Sequence, residues 1–121
     1  MILADTSVWV NHFRSADSQL ARMLVEEDVG LHPFVLGEIA AGNLRDRTRV
    51  LNYLSCLPQS AIAEEAEVHH LLQSERLWGT GLGWVDLHIL AAVRLRGWRL
   101  YSADRAMNRI AAQLGISRVA G

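Results

Sequence analysis

Four acidic residues, Asp5, Glu38, Asp86 and Asp104, stand where this chain could use carboxylates for chemistry. Asp5 closes the apolar run Met1-Ile2-Leu3-Ala4, and Asp104 follows the apolar segment 98–101 by a few residues. Runs this short read as buried strands, and open α/β sheets bind ligands beyond the carboxyl ends of their strands. Asp5 and Asp104 are thus expected at one sheet edge, although Asp is also a preferred helix N-cap and each could serve only as a cap. Glu38 is the only charge in 33–42, and its helical neighbours are Phe34, Val35, Ala41 and Gly42; Asp86 shares a stripe with Leu90 and Val93. Both acids are expected on core-facing stripes, where a carboxylate needs a partner. That partner is either an arginine in an internal ion pair, costly to desolvate, or a divalent cation that satisfies several carboxylates at once. Without a paired-histidine motif and with Cys56 as the single cysteine, the donors are oxygens, suited to Mg²⁺ or Mn²⁺. Such an ion serves phosphoryl transfer by activating water, holding a phosphate and stabilising the leaving oxygen.

The elements that must place these acids alternate along the chain. After the first strand, Asp5, Thr6 and Ser7 offer caps to a helix carrying Val8, Trp9 and Phe13, and a second helix follows Asp17. Residues 29–31 read as a second strand, and Pro33 opens a helix that runs to about Gly42. Helices are expected over 43–55, with arginines on its outer face, and over 64–78, with a short strand at 60–62 between them. Residues 79–83, with three glycines, form a loop. A helix over 84–96 stops at Gly97, a strand follows over 98–101, Asp104 caps the last helix, and 116–119 is a terminal strand. Strands alternating with helices predict a three-layer α/β/α domain with a small, mainly parallel sheet.

All 121 residues fit one domain with one core, 1–121. The net charge of −1 gives no global positive field, so any nucleic-acid surface must be local. All 12 basic residues are arginine. This absence of lysine argues against a haloacid-dehalogenase-like phosphatase, a receiver domain and a P-loop nucleotidase, each of which needs one; Ser7 also stands where the phosphatase needs its second Asp. A single cysteine leaves no internal disulfide and no multi-cysteine zinc site. No apolar run reaches membrane-spanning length and no signal peptide is evident, so a cytoplasmic protein is expected.

The order of motifs resembles the PIN domain, and within it the VapC toxins of bacterial toxin–antitoxin pairs. The resemblance rests on Asp5-Thr6-Ser7 before Val8-Trp9, on Gly37-Glu38-Ile39 after Pro33, on Gly83-Trp84-Val85-Asp86 before Ile89-Leu90-Ala91-Ala92, and on Ser102-Ala103-Asp104 after an apolar strand. It implies a Mg²⁺- or Mn²⁺-dependent endoribonuclease acting on tRNA or ribosomal RNA, a homodimer, and a VapB-like antitoxin that blocks the site. It also implies an acidic quartet of Asp5, Glu38, Asp86 and Asp104, supported by Thr6, Ser7 and Ser102. The alternative is a catalytically silent PIN-like module that binds RNA or protein.

Further features admit two readings. Trp84, beside the glycine loop, suits base stacking or packing. Arg45, Arg47 and Arg49 suit an RNA backbone or a solvated helix face. The five histidines, His88 among them, read as surface or core residues. Leu51, Leu54, Leu71 and Leu72 are candidates for a dimer contact, with the three arginines flanking a groove, and the helix bearing Trp9 and Phe13 is the expected track of an antitoxin tail.

Overall fold

The apolar run after Met1 forms the central strand of the molecule. A computed structural model describes residues 1–118. Strands β1 (Ile2–Ala4), β2 (Val29–Gly30) and β3 (Arg99–Tyr101) make a parallel sheet in the order β2-β1-β3. Leu3 lies opposite Gly30 on one side and Leu100 on the other, and Ala4 lies opposite Tyr101. Parallel neighbours cannot be joined by a tight turn, so helices carry the crossovers. Helices α1 (Thr6–Arg14) and α2 (Ser18–Val25) separate β1 from β2. Helices α3 (Pro33–Ala41), α4 (Arg47–Ser55), α5 (Glu65–Ser74) and α6 (Trp84–Arg96) separate β2 from β3, and α7 (Arg105–Gln113) follows.

The core runs along the sheet and into α6, where Leu87 to Val93 are all buried. A helix buried on nearly every side cannot show a clean amphipathic stripe, and Asp86 stands just before this buried stretch, half-buried. Asp17 anchors a second point. It caps α2 through the amides of Gln19 and Leu20, and it accepts a 2.5 Å hydrogen bond from the Tyr101 hydroxyl at the end of β3. Burial and that donated bond push the tyrosine up to about 12. Among the described residues, no helix is long and apolar enough to cross a membrane.

Several expected boundaries shift. The strand at 60–62 reduces to one bridge between Leu31 and Gln59, and the terminal strand to one bridge between Leu100 and Ser117, with Val119 outside the described residues. Helix α4 begins at Arg47 rather than at 43, because Asp46 takes a left-handed backbone (φ 49°). Helix α5 ends at Ser74 rather than 78, because Arg76 does the same (φ 55°) and Leu77 turns into the core. The proposed dimer contacts also need correction: Leu54 and Leu71 are fully buried in this chain's own core, and Leu51 and Leu72 pack half-buried against it. Their apolarity serves the fold.

Gly30 is required by contact rather than by backbone geometry. A Cβ there would come within 2.6 Å of the Trp98 ring and 3.2 Å of the Met1 sulfur. Overpacking of this kind typically costs about 1–3 kcal/mol. Gly30→Ala should therefore lower the melting temperature by several degrees. An unchanged melting curve would mean that Trp98 moves aside freely.

Candidate active site

The site begins with one buried carboxylate. Asp5 follows β1 directly, its amide bonded to the Tyr101 carbonyl of β3 at 3.1 Å, and its side chain is 5 % exposed. Two serines brace it. The Ser7 hydroxyl donates to Oδ1 at 2.5 Å, and the Ser102 hydroxyl donates to Oδ2. Each hydroxyl also accepts from the turn after β3: Ser7 from the Ala103 amide and Ser102 from the Asp104 amide, both at 3.0 Å. The Val8 amide adds a cap bond to Oδ1 at 3.3 Å. Asp5 thus spends both oxygens inside the protein and locks the ends of β1 and β3 together.

Burial raises the Asp5 pKa above the ordinary value, and the charge of nearby Asp104 raises it further, against the lowering effect of the Ser102, Ser7 and Val8 bonds. The other three acids are placed differently. Asp104 is exposed and caps α7 by accepting from the Met107 amide through Oδ1. Asp86 accepts from the Gly83 amide through Oδ2 at 3.0 Å, in the first turn of α6. Glu38 is exposed, contrary to the core-facing position expected for it; α3 buries Val35 and Ile39 instead, and Glu38 lies on the flank of that stripe. There its Oε1 accepts a 2.7 Å bond from the Thr6 hydroxyl.

The structure therefore brings Asp5, Asp104, Ser7 and Ser102 into one hydrogen-bonded unit. It adds Glu38 through Thr6, next in sequence to Asp5. Asp86 has no direct hydrogen bond to the others among the described residues. Its loop is tied to them through Arg109 of α7, whose guanidinium donates to the Thr80 carbonyl at 3.0 Å. That latch was not legible in the sequence, where Arg109 is one of many helix-face arginines.

Capping and metal binding are not exclusive here. Asp104, Asp86 and Glu38 each commit one oxygen to a bond and leave the other without one among the described residues. The internal ion pair does not form either. Among the described residues the ion pairs join the Met1 amino group to Asp28 and Arg94 to Glu75, so no arginine neutralises any of the four acids. As the side chains stand, no three His, Cys, Asp or Glu among the described residues gather closely enough to enclose a metal ion. The fit to a divalent cation is thus one of donor chemistry: oxygen donors, uncompensated negative charge, and a carboxylate whose ionisation burial disfavours. Helices α1 and α7 begin at Asp5 and Asp104, and Asp86 lies in the first turn of α6, so the positive ends of their dipoles lie beside these carboxylates.

Histidine is absent from this cluster. His32 is fully buried and accepts from the Phe34 amide through Nδ1 at 2.9 Å, capping α3. Burial, with His88 nearby, lowers its pKa to about 4 and keeps it neutral. His88 is buried as well. Arg45, Arg47 and Arg49 are exposed but do not share one helix face, since Arg45 precedes α4. Arg45 instead lines a groove of about 530 Å³ with Val10, Phe13, Arg14, Glu38 and Leu44.

The PIN-domain family model matches residues 2–113. The chain belongs to the PIN-domain family. It is 41% identical over 118 residues to Ribonuclease VapC32 of Mycobacterium tuberculosis, matched in two strains, covering 97% of this chain and 95% of that protein. Its fold is similar to the crystal structure of VapC20 of the same organism, described as a sarcin-ricin loop cleaving toxin, with a TM-score of 0.65 and 19% identity over 98% of each chain.

Asp5 supplies a test of this arrangement. Because its folded pKa is raised above 3.8, ionisation costs more in the folded chain than in the unfolded one. Its contribution to stability is fully present below the unfolded pKa and is lost as pH rises through the folded value. Asn resembles the neutral form. Asp5→Asn should therefore be at least as stable as the parent at neutral pH, with the advantage shrinking as pH falls below the carboxylate range. Thermal melts across pH check this. A large loss of stability at neutral pH would mean that the ionised carboxylate is a structural requirement.

Proposed function

We propose that this chain is a metal-dependent endoribonuclease, the toxin of a VapBC-type toxin–antitoxin pair, acting in the cytoplasm on tRNA or ribosomal RNA. The observation that carries the reading is a buried Asp5 with Asp104 beside it, ringed by hydroxyls and with no compensating arginine among the described residues. An unpaired acidic cluster at a strand end is costly to keep unless something cationic uses it. The 41% identity to a protein named as a ribonuclease supports the same reading. Asp5, Asp86, Asp104 and Glu38 would hold Mg²⁺ or Mn²⁺. When bound, such an ion lowers the pKa of water and polarises a phosphodiester.

The chain's own part is positioning. Ser7 and Ser102 fix the Asp5 oxygens, Thr6 steers Glu38, and the Arg109–Thr80 bond sets the loop that leads into Asp86. The second reading, a silent PIN-like binding module, draws on the lack of a gathered three-carboxylate cage among the described residues. One assay separates the two. RNA incubated with the purified chain should be cut in Mg²⁺ or Mn²⁺, left intact in excess EDTA, and left intact by Asp5→Asn in either metal. Cleavage at full rate in chelator would overturn metal dependence, and intact RNA under every condition would favour the silent module.

The groove beside Glu38 suits the antitoxin. Trp9, first expected to line that track, is 1 % exposed and unavailable; Val10 and Phe13 present the apolar surface of α1 instead, with Arg14 and Arg45 at the rim. A partner tail lying there would place a basic side chain near Glu38 and compete with RNA phosphate. Co-expression with an adjacent small open reading frame, where one is present, should relieve growth arrest, and Phe13→Ala should weaken that relief. Relief that survives Phe13→Ala unchanged would place the tail elsewhere. A homodimer, in keeping with the common two-fold assembly of small soluble proteins, would need a face other than the buried leucines, and light scattering measures it directly.

A further inference from the structure

Trp84 opens α6 two residues before Asp86, and its side chain is 38 % exposed. It belongs to a row of rings that runs out of the core: His32 against Phe34 at 5.0 Å, Phe34 against His88 at 5.0 Å, His88 against Trp84 at 5.2 Å and nearly perpendicular, and Trp84 against His69 at 4.8 Å. His32 and His88 are buried, so the row is anchored at one end and open to solvent at the other. An indole held this way has little rotamer freedom left to lose on binding. Gly83, which precedes it, has an ordinary extended backbone, and beyond its chain neighbours a Cβ there would meet only the Asp86 carboxylate, at 3.9 Å.

We propose that the Trp84 indole, backed by His69 and His88, is a stacking platform for an unpaired RNA base next to the phosphate that the acidic cluster handles. The inference rests on the ribonuclease reading above and adds to it a base-contacting residue, Trp84, on whose ring an unpaired base can stack. Every base has a π-face, so the platform favours unpaired over paired nucleotides without naming a sequence.

The test uses the full chain carrying Asp5→Asn, which should bind without cutting, and Trp78→Phe, which leaves Trp84 as the reporting exposed tryptophan while Trp9 and Trp98 stay buried. The probe is a short mixed-sequence single-stranded RNA and its counterpart with abasic nucleotides. Binding of the first should quench Trp84 fluorescence, and the abasic probe should not. Trp84→Ala should raise Kd for the intact probe roughly five- to fifty-fold, with no change for the abasic one, and Trp84→Phe should recover most of the loss. If Trp84→Ala fails to fold, His69→Ala at an exposed position serves instead, with an expected rise of about two- to five-fold. An unchanged Kd, an equal loss on abasic RNA, or a change of light-scattering mass in Trp84→Ala overturns the platform. Cleavage assays on the chain with native Asp5 keep the two readings apart. Cutting with an unchanged Kd in Trp84→Ala removes the platform alone. Quenching without any cutting removes the ribonuclease and leaves a base-binding surface.

Discussion

The whole arrangement depends on a single carboxylate buried at the end of the central strand. Asp5 holds β1 to β3 through two serines, and each serine hydroxyl faces two ways, donating to the carboxylate and accepting from a backbone amide of the turn after β3. Hydroxyls suit this place because one group can be donor and acceptor at once. An ammonium there could donate to the carboxylate but could not accept from the backbone amide. Burial opposes the charge while the hydroxyls support it, and the balance falls on the side of burial. A charge kept ionised against its surroundings is stabilised by the arrival of a cation, which links the cost of folding to the capacity to bind.

The remaining acids are arranged by helix ends rather than by the sheet. Asp104 and Asp86 satisfy amides at the starts of α7 and α6, and Glu38 is steered by a hydroxyl from the first turn of α1. Capping fixes the position of a carboxylate with one oxygen and leaves the second free, so the same residue can stabilise a helix and face a ligand. The helix N-termini oppose the mutual repulsion of the acids. Two further cross-links tie distant parts together: Tyr101 at the end of β3 to Asp17 at the start of α2, and Arg109 of α7 to the Thr80 carbonyl in the loop before α6.

Around this centre the surface divides. On the Glu38 side lies an apolar groove with Phe13 and Val10 and an arginine rim. On the Asp86 side lies the open end of the ring row, with Trp84 and His69. A partner protein and a nucleotide base make different demands, the first for extended apolar contact and the second for a rigid ring beside a phosphate site. The proposed partner contact and the proposed base contact would thus fall on different elements, α1 and α6.

The sequence by itself determined the first strand, the helices that follow Asp5 and Asp104, the helix over 84–96 and the family. These features rest on local physics: short apolar runs, Asp at helix starts, glycine at helix ends, and four acids in a fixed order. Where local reading failed, a non-local contact had decided. Glu38 sits among apolar neighbours in sequence, but α3 turns Val35 and Ile39 inward and leaves it outside to meet Thr6. Leu54 and Leu71 looked spare until the core claimed them. The tertiary structure alone decided which oxygens are spent and which are free, that no arginine joins the acids among the described residues, and that Trp84 closes a row of rings begun by His32. Each of these depends on groups far apart in the chain, whose meeting is set by the packing of helices on a three-stranded sheet rather than by spacing along the sequence.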